Sequence, residues 1–255
     1  MRRILLKFCL LPLLILSLCA GVCLAETVKG DLSDRFSDIP SKEIDGVKYM
    51  LRNQLTVVLL MGVMEDAELG GNVSDFTALL VIDDDERRIS PIRFDGNTLV
   101  EVEGQPQPVP LRQVYMLGED PERRCQLMVD AVNSLLGEER ITDHLAFDLR
   151  GQAVIEGYQP VEGDAETQLR ALKAALETRP TGELTDLYAQ LADYITTNMK
   201  SGAAAKVADK AQRYEVVDSV PLPTLPLAEG ELNPSVDAQA VADLVLSLLY
   251  QPSNW

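Results

Sequence analysis

The chain reads as an α/β protein, a mixed α-β-α sandwich with a central, mostly buried sheet and helices on its faces. Three observations predict this. Leu55–Val63, LTVVLLMGV, is a continuous apolar run, β-branched in part and too short to span a membrane. Such a run suits a strand buried on both faces. Strand-like segments come before and between segments whose apolar residues recur at helical spacing, the order of an α/β body. The 255 residues are 46% hydrophobic, enough for one substantial core.

Taken in order, 26–50 is polar, carries Gly30, Pro40 and Gly46, and reads as a linker into a domain over 51–255; Lys48–Leu51 could join the first strand. The run Leu55–Val63 is ended by glutamates and Gly70-Gly71-Asn72. Thr77–Ile82 is a second apolar run, stopped by three aspartates. Ile89–Phe94 and Leu99–Val102 read as two more strands, joined by Asp95-Gly96-Asn97-Thr98, which has turn chemistry. Gly104–Pro110, GQPQPVP, cannot be a central strand.

Asp120 is a good N-cap, and Pro121 fits the first helical position. Cys125, Met128, Val129, Val132, Leu135 and Leu136 recur at helical spacing, and Gly137 stops that helix. Ile141–Leu149 reads as a strand. Asp164–Glu177 and Glu183–Lys200 read as helices with leucine faces, and Gly202–Arg213 as a short alanine-rich helix. Tyr214–Leu222 reads as a strand leading to a proline-rich turn. Asn233-Pro234 is the expected cap of a last helix with the stripe Val241, Leu244, Val245 and Leu248.

Residues 1–25 form a targeting segment. Arg2-Arg3 is its positive end, Phe8–Val22 its apolar stretch, and Ala25 a small residue before Glu26. Cleavage after Ala25 and retention as an uncleaved membrane anchor are both open, since the apolar stretch lies near spanning length. Cys23 follows Val22, where a lipoprotein signal wants a small residue. Either way the body lies outside the cytoplasm, secreted or held at the outer face of the membrane. The net charge is -17. Such a surface repels nucleic acid and anionic lipid, which disfavours a DNA-binding regulator.

Three of the four cysteines, Cys9, Cys19 and Cys23, lie in the targeting segment. The body therefore keeps Cys125 alone, read as a buried small hydrophobe. With a single histidine and no cysteine pair, a structural zinc site is disfavoured. His144 reads as a surface or strand-end residue rather than a catalytic base.

Strand ends bearing Ser74, Asp75, Arg93 and Asp95 are where chemistry is expected, because loops at strand ends hold functional groups on a rigid scaffold. They also carry a resemblance. Gly62-Val63-Met64, Val73-Ser74-Asp75-Phe76 and Arg93-Phe94-Asp95-Gly96-Asn97-Thr98 stand in the order and spacing of Gly-x-Asp, Arg-Ser-Asp-Thr and Ile-Pro-Arg-Asp-Thr. That is the pattern of the LytR-CpsA-Psr family of bacterial cell-envelope proteins. Leu111–Gly118 resembles the family's small-residue loop before a helix ending Leu-Leu-Gly, and Asp148 and Gly151 match the end of its next strand. Tyr194–Met199 resembles its Thr-Asn helix junction. The passage from Gly151 to Gly163 is short where the family has a long insertion.

The resemblance implies transfer of phosphate-linked glycopolymers from a polyprenyl pyrophosphate carrier to peptidoglycan. Carboxylates would hold magnesium on the pyrophosphate, arginines would neutralise its charge, and an apolar cavity would take the lipid. Asp75 stands at the family's carboxylate, as a catalytic residue and metal ligand, against the plainer reading of a strand-start cap. The family's adjacent arginine is Val73 here. With Thr98 aligned, its second Arg-Asp pair becomes Gly96-Asn97. Arg93 and Asp95 lie earlier and could substitute only through a bulge or a rebuilt turn, since an odd shift changes a strand's face. Arg112 and Arg170 are the remaining candidate substrate-binding residues. Near residue 165 the family's arginine cluster is replaced by Asp164, Glu166 and the lone Arg170.

Two readings follow. One is a divergent transferase built on Asp75 with Arg93, Asp95, Arg112 or Arg170. The other is a non-catalytic envelope protein of the same fold that binds a lipid or wall component. A membrane-attached scaffold without ligand is the third class.

Overall fold

The computed structural model describes residues 41–44, 46–52, 54–138, 140–155, 158–159, 161–163, 167–168, 171, 190–227, 230 and 233–253. Two short strands come first, β1 (Ser41–Ile44) and β2 (Val47–Leu51). Then come the long strands β3 (Leu55–Asp66) and β4 (Gly71–Asp83), β5 (Arg88–Phe94), and the two-residue strands β6 (Leu99–Val100) and β7 (Val109–Pro110). Helix α1 (Leu111–Val114) runs into a 3-10 turn and is followed by α2 (Pro121–Leu136), then β8 (Asp143–Asp148) and β9 (Ile195–Thr197). The chain continues through α3 (Ser201–Arg213), β10 (Glu215–Val216), β11 (Val220–Pro221), α4 (Ala238–Leu249) and β12 (Tyr250–Pro252).

The main sheet has seven strands in the order β10-β5-β4-β3-β8-β9, with β11 also on β5. β3, β4 and β5 run antiparallel to one another, and β8 runs parallel to β3. Alternation along β3 explains both covered faces. Leu59, Met61 and Val63 enter one core with Cys125, Met128 and Val132 of α2 and Val241 and Val245 of α4. Val58 and Leu60 enter another with Ala204, Val207 and Ala211 of α3. A third cluster lies at the far end of the sheet, with Phe76, Ala78, Phe147, Leu149 and Ile155. Each fully buried large aliphatic side chain contributes roughly 1.5–3 kcal/mol. The mixed α/β sandwich is therefore the observed architecture, and the apolar run at Leu55 is its middle strand.

Helix α2 forms as its sequence dictates. Asp120 accepts the Arg123 N–H at 2.8 Å, Pro121 opens the helix, and Gly137 closes it at φ 64°. Cys125 is fully buried and burial pushes its thiol up to about 12, so it serves as a small hydrophobe.

Several expectations are corrected. The strand after the glycine break starts at Gly71, so Asp75 lies inside a strand rather than capping its start. The last helix is capped by Asp237, which accepts the Ala240 N–H at 3.1 Å, not by Asn233. The helix expected over 183–200 ends before Ile195, because Ile195-Thr196-Thr197 pairs antiparallel with β8. β-branched residues favour that extended backbone. Thr197 donates to the His144 carbonyl at 2.6 Å, and Asn198 accepts the His144 N–H at 3.0 Å. β6 leaves the main sheet and pairs with β7, although the turn at Asp95 forms as read, with Thr98 N–H donating to the Asp95 carbonyl at 3.0 Å.

His144 is not a surface residue. Its side chain is 3% exposed and neither ring nitrogen has a hydrogen-bond partner. Burial pushes its pKa down, so it sits in the core as a neutral imidazole. The segment read as a linker also carries β1 and β2. β2 pairs with β12, and Lys42 forms an ion pair with the buried Glu138 at the end of α2. The helix read over 164–177 falls almost wholly outside the described residues. Among those residues no helix is long and apolar enough to cross a membrane.

Candidate functional site

The site is built on an irregularity between β3 and β4. Gly62 pairs with Phe76 and Val63 pairs with Ser74, so Asp75 has no partner on β3 and is the extra residue of a bulge. Bulges bend a strand and re-aim a side chain. β4 and β5 keep regular register, with Ala78 opposite Arg93 and Thr77 opposite Phe94. Strict alternation would put Asp75 on the Thr77 side of the sheet and Arg93 on the Ala78 side. The bulge interrupts that alternation at Asp75. Asp75, Arg93 and Asp95 line one cavity of about 330 Å³ at the strand ends, which residues of both faces, among them Phe76, Thr77 and Phe94, also line.

The bulge has its own support. Ser74 is fully buried, donates to the Phe76 carbonyl at 3.1 Å, and shares a hydroxyl hydrogen bond with Thr77 at 2.9 Å. Asp95 holds its turn by accepting the Asn97 N–H at 2.9 Å. Arg93 and Asp95 are exposed at the cavity mouth and Asp75 is half-buried.

Asp75 also lines a second cavity, of about 340 Å³, with Met64, Glu65, Asp66, Glu68, Val73 and Arg112. Arg112 forms an ion pair there with Asp66. Asp66 accepts the N–H groups of Leu69 and Glu68, each at 3.0 Å. These bonds, the Leu69 one first, and the guanidinium hold its carboxyl below the usual carboxylate range against a smaller opposing effect of burial. A third arginine stands at the end of β8: Arg150 pairs with Asp148, and those hydrogen bonds raise its pKa, with Glu65 adding to the same effect. These groups collect near the carboxyl ends of the parallel strands β3 and β8, where open α/β sheets commonly bind ligands.

Four of the five candidate residues, Asp75, Arg93, Asp95 and Arg112, thus border adjoining cavities that share Asp75 as a wall. Arg170 lies outside the described residues. Sequence reasoning missed Asp66 and Arg150. Asp66 carried a signal: the Gly-x-Asp place reads Gly62-Val63-Met64, and Asp66 is two residues further along the same strand. An even shift keeps the face.

Among the described residues there is no group of three or more His, Cys, Asp or Glu side chains placed to hold a metal. The donor set therefore does not make a protein-only cage. Magnesium keeps water and substrate oxygens and needs only one or two carboxylates, so such a donor set would suit it. Asp75, common to both cavities, would supply one.

The fold is that of LytR-CpsA-Psr proteins. The chain is similar to Bacillus subtilis TagV, with TM-score 0.53, 12% identity, and coverage of 78% of this chain and 98% of that one. It is similar to B. subtilis TagU at TM-score 0.51 and 11% identity, covering 77% and 96%. A structure of TagT bound to LI-WTA gives TM-score 0.52 and 14% identity, covering 77% and 90%. TagT, TagU and TagV are LytR-CpsA-Psr proteins. At these identities the likeness is one of fold. No protein-family model and no curated protein matches the sequence.

Proposed function

We propose that the protein is an extracytoplasmic cell-envelope protein that takes a phosphate-linked glycopolymer, or the lipid carrying it, at the Asp75 cavities, and transfers it to a wall acceptor such as peptidoglycan. The observation that carries this reading is the strand-end cavity beside the bulge, lined by the carboxylates of Asp75 and Asp95 and by Arg93 despite the shifted sequence register. TagT bound to LI-WTA, a protein of similar fold, supports a ligand of this class. The targeting segment 1–25 supports the location.

Each side chain has a task in this reading. Arg93 neutralises phosphate charge as it builds in the transition state; one such donor is worth roughly 3–4 kcal/mol, two to three decades in rate. Asp95, which lines the same cavity, accepts the proton of an acceptor hydroxyl in this reading. Asp75 would hold magnesium if the ion arrives with the phosphate, and that ion would supply charge neutralisation. Arg112 contributes from the second cavity.

The test is turnover. The body incubated with magnesium and a polyprenyl pyrophosphate analogue should release phosphate, and Asp75→Ala should abolish that release. No release by the natural sequence, with the analogue still bound, would leave the second reading, a binding protein without catalysis. One observation favours that second reading: around Arg112 the lining includes Glu65, Asp66, Glu68 and Asp75, an excess of negative charge where a pyrophosphate would sit. It predicts a prenyl lipid recovered from the purified protein, and a thermal shift when one is added.

A further inference from the structure

Large apolar side chains scattered singly over a surface need no account. Here they gather. Among the described residues eight are exposed, and five of them, Leu69, Leu117, Val220, Leu225 and Leu227, lie at the end of the sheet where both cavities open. Leu69 follows Ala67 and Glu68, which line the Arg112 cavity at the tip of the β3–β4 hairpin. Leu117 follows Met116, whose side chain lies against Gly71 at the start of β4.

The other three belong to one arm, 220–227, VPLPTLPL. The Leu222 N–H donates to the Arg93 carbonyl at 2.8 Å, and Leu222 and Thr224 line the cavity with Asp75. The Pro223 carbonyl accepts the Asp237 N–H at 3.1 Å, and the Leu225 N–H donates to the Ser235 carbonyl at 2.8 Å. Pro221, Pro223 and Pro226 each fix their own φ and stiffen the arm. It holds Leu225 and Leu227 out in solvent at 49% and 53% exposure, the highest of the eight.

Two features indicate what covers this rim. It is split by open cavity mouths, so it suits a fluid surface better than a protein partner, which needs continuous complementarity. Exposed acids stand beside it, among them Glu68, Asp95, Glu119 and Asp218, so that surface is not itself negative. The chain before β1 is also long enough. β1 pairs with β2, and Arg52 after β2 reaches Asp83 at 2.7 Å beside the start of β3. The cavities lie at the opposite end of β3, whose 12 residues span about 40 Å. With residues 1–25 as an anchor, the fifteen residues 26–40 reach at most about 50 Å. That suffices to turn the cavity end towards the bilayer.

We propose that these five side chains form an interfacial rim that sits among the headgroups of a bilayer, so that both cavities open onto the membrane surface. The proposal rests on the function proposed above, since a bilayer holds the lipid-linked ligand of that reading. Apolar area buried in the interface supplies the attachment, and the neighbouring acids make uncharged headgroups the preferred ones.

The experiment places single tryptophans in the full chain, reconstituted with phosphatidylcholine vesicles whose acyl chains carry bromine, a contact quencher. The natural sequence supplies the background from Trp255. Leu227→Trp should lose emission, and Ile44→Trp, exposed in the β1–β2 hairpin, should keep it. Quenching of Ile44→Trp alone, or of both equally, overturns the proposal. So does quenching of neither, which a protein partner or a second copy on the rim would give. Leu225→Ser combined with Leu227→Ser tests what the rim is for. Phosphate release from a long-chain polyprenyl pyrophosphate held in vesicles should fall roughly tenfold or more, and release from a soluble short-chain analogue should not change. Equal falls on both substrates, or no fall in vesicles, overturn the proposal. No release from either substrate by the natural sequence ends the proposed function, and the quenching then decides the rim by itself.

Discussion

Ser74 and Thr77 share a hydroxyl hydrogen bond at 2.9 Å that spans Asp75, the extra residue of the bulge, and Phe76. Both hydroxyl-bearing side chains are buried, at 0% and 2% exposure, so each needs the other. Ser74→Ala should leave the Thr77 hydroxyl short of a partner and cost about 1–3 kcal/mol. The functional loss should be larger than that, because the bulge places Asp75. Urea unfolding and turnover measured on the same protein check this; a variant that is destabilised but fully active would separate the bulge from the site.

Arg93 is exposed and lines the cavity rather than the core clusters. Arg93→Ala should therefore leave the melting temperature within about a degree or two while lowering turnover by roughly two to three decades. Steady-state assays with the polyprenyl pyrophosphate analogue read this directly.

His144 makes stability depend on pH. Its folded pKa lies below the ordinary value of 6.5, since burial disfavours the charged form. Below pH 6.5 the unfolded chain takes up a proton that the native chain does not, so stability falls as pH drops from there towards the folded pKa. The slope from one group is at most about 1.4 kcal/mol per pH unit. Denaturant midpoints of the natural sequence and of His144→Leu, compared at pH 7.5, 6.5 and 5.5, isolate it. The difference between the two should move against the natural sequence on acidification.

Gly118 precedes α2 where the chain folds tightly onto it. A Cβ there would lie 2.5 Å from the Arg124 backbone nitrogen and 2.8 Å from its Cα. Backbone cannot yield as a flexible side chain does, so Gly118→Ala should cost about 1–3 kcal/mol or more. Gly137→Ala meets no such neighbour but keeps a φ of 64°, so its smaller penalty is conformational. Thermal unfolding of both variants ranks the two effects.

The sequence alone settled what depends on neighbours a few residues away. The apolar run at Leu55 suits a strand covered on both sides, and it forms one. The Asp120-Pro121 start and Gly137 stop of α2 are local chemistry, as is the turn at Asp95. Asp75, Arg93 and Asp95 were legible as candidates from their strand-end places and the family resemblance, and Arg112 from the resemblance alone. The tertiary structure decided the rest. A one-residue bulge is invisible in a strand's composition, yet it leaves Asp75 without a partner on β3. The Asp66–Arg112 pair closes over 46 residues of chain, which no local pattern reports. Ile195–Thr197 follows a helical stripe of leucines and still becomes a strand, because a free edge of β8 offers it backbone partners. His144 is buried for the same kind of reason: its exposure depends on what the rest of the chain lays over β8, and distant covering is settled only when the chain folds.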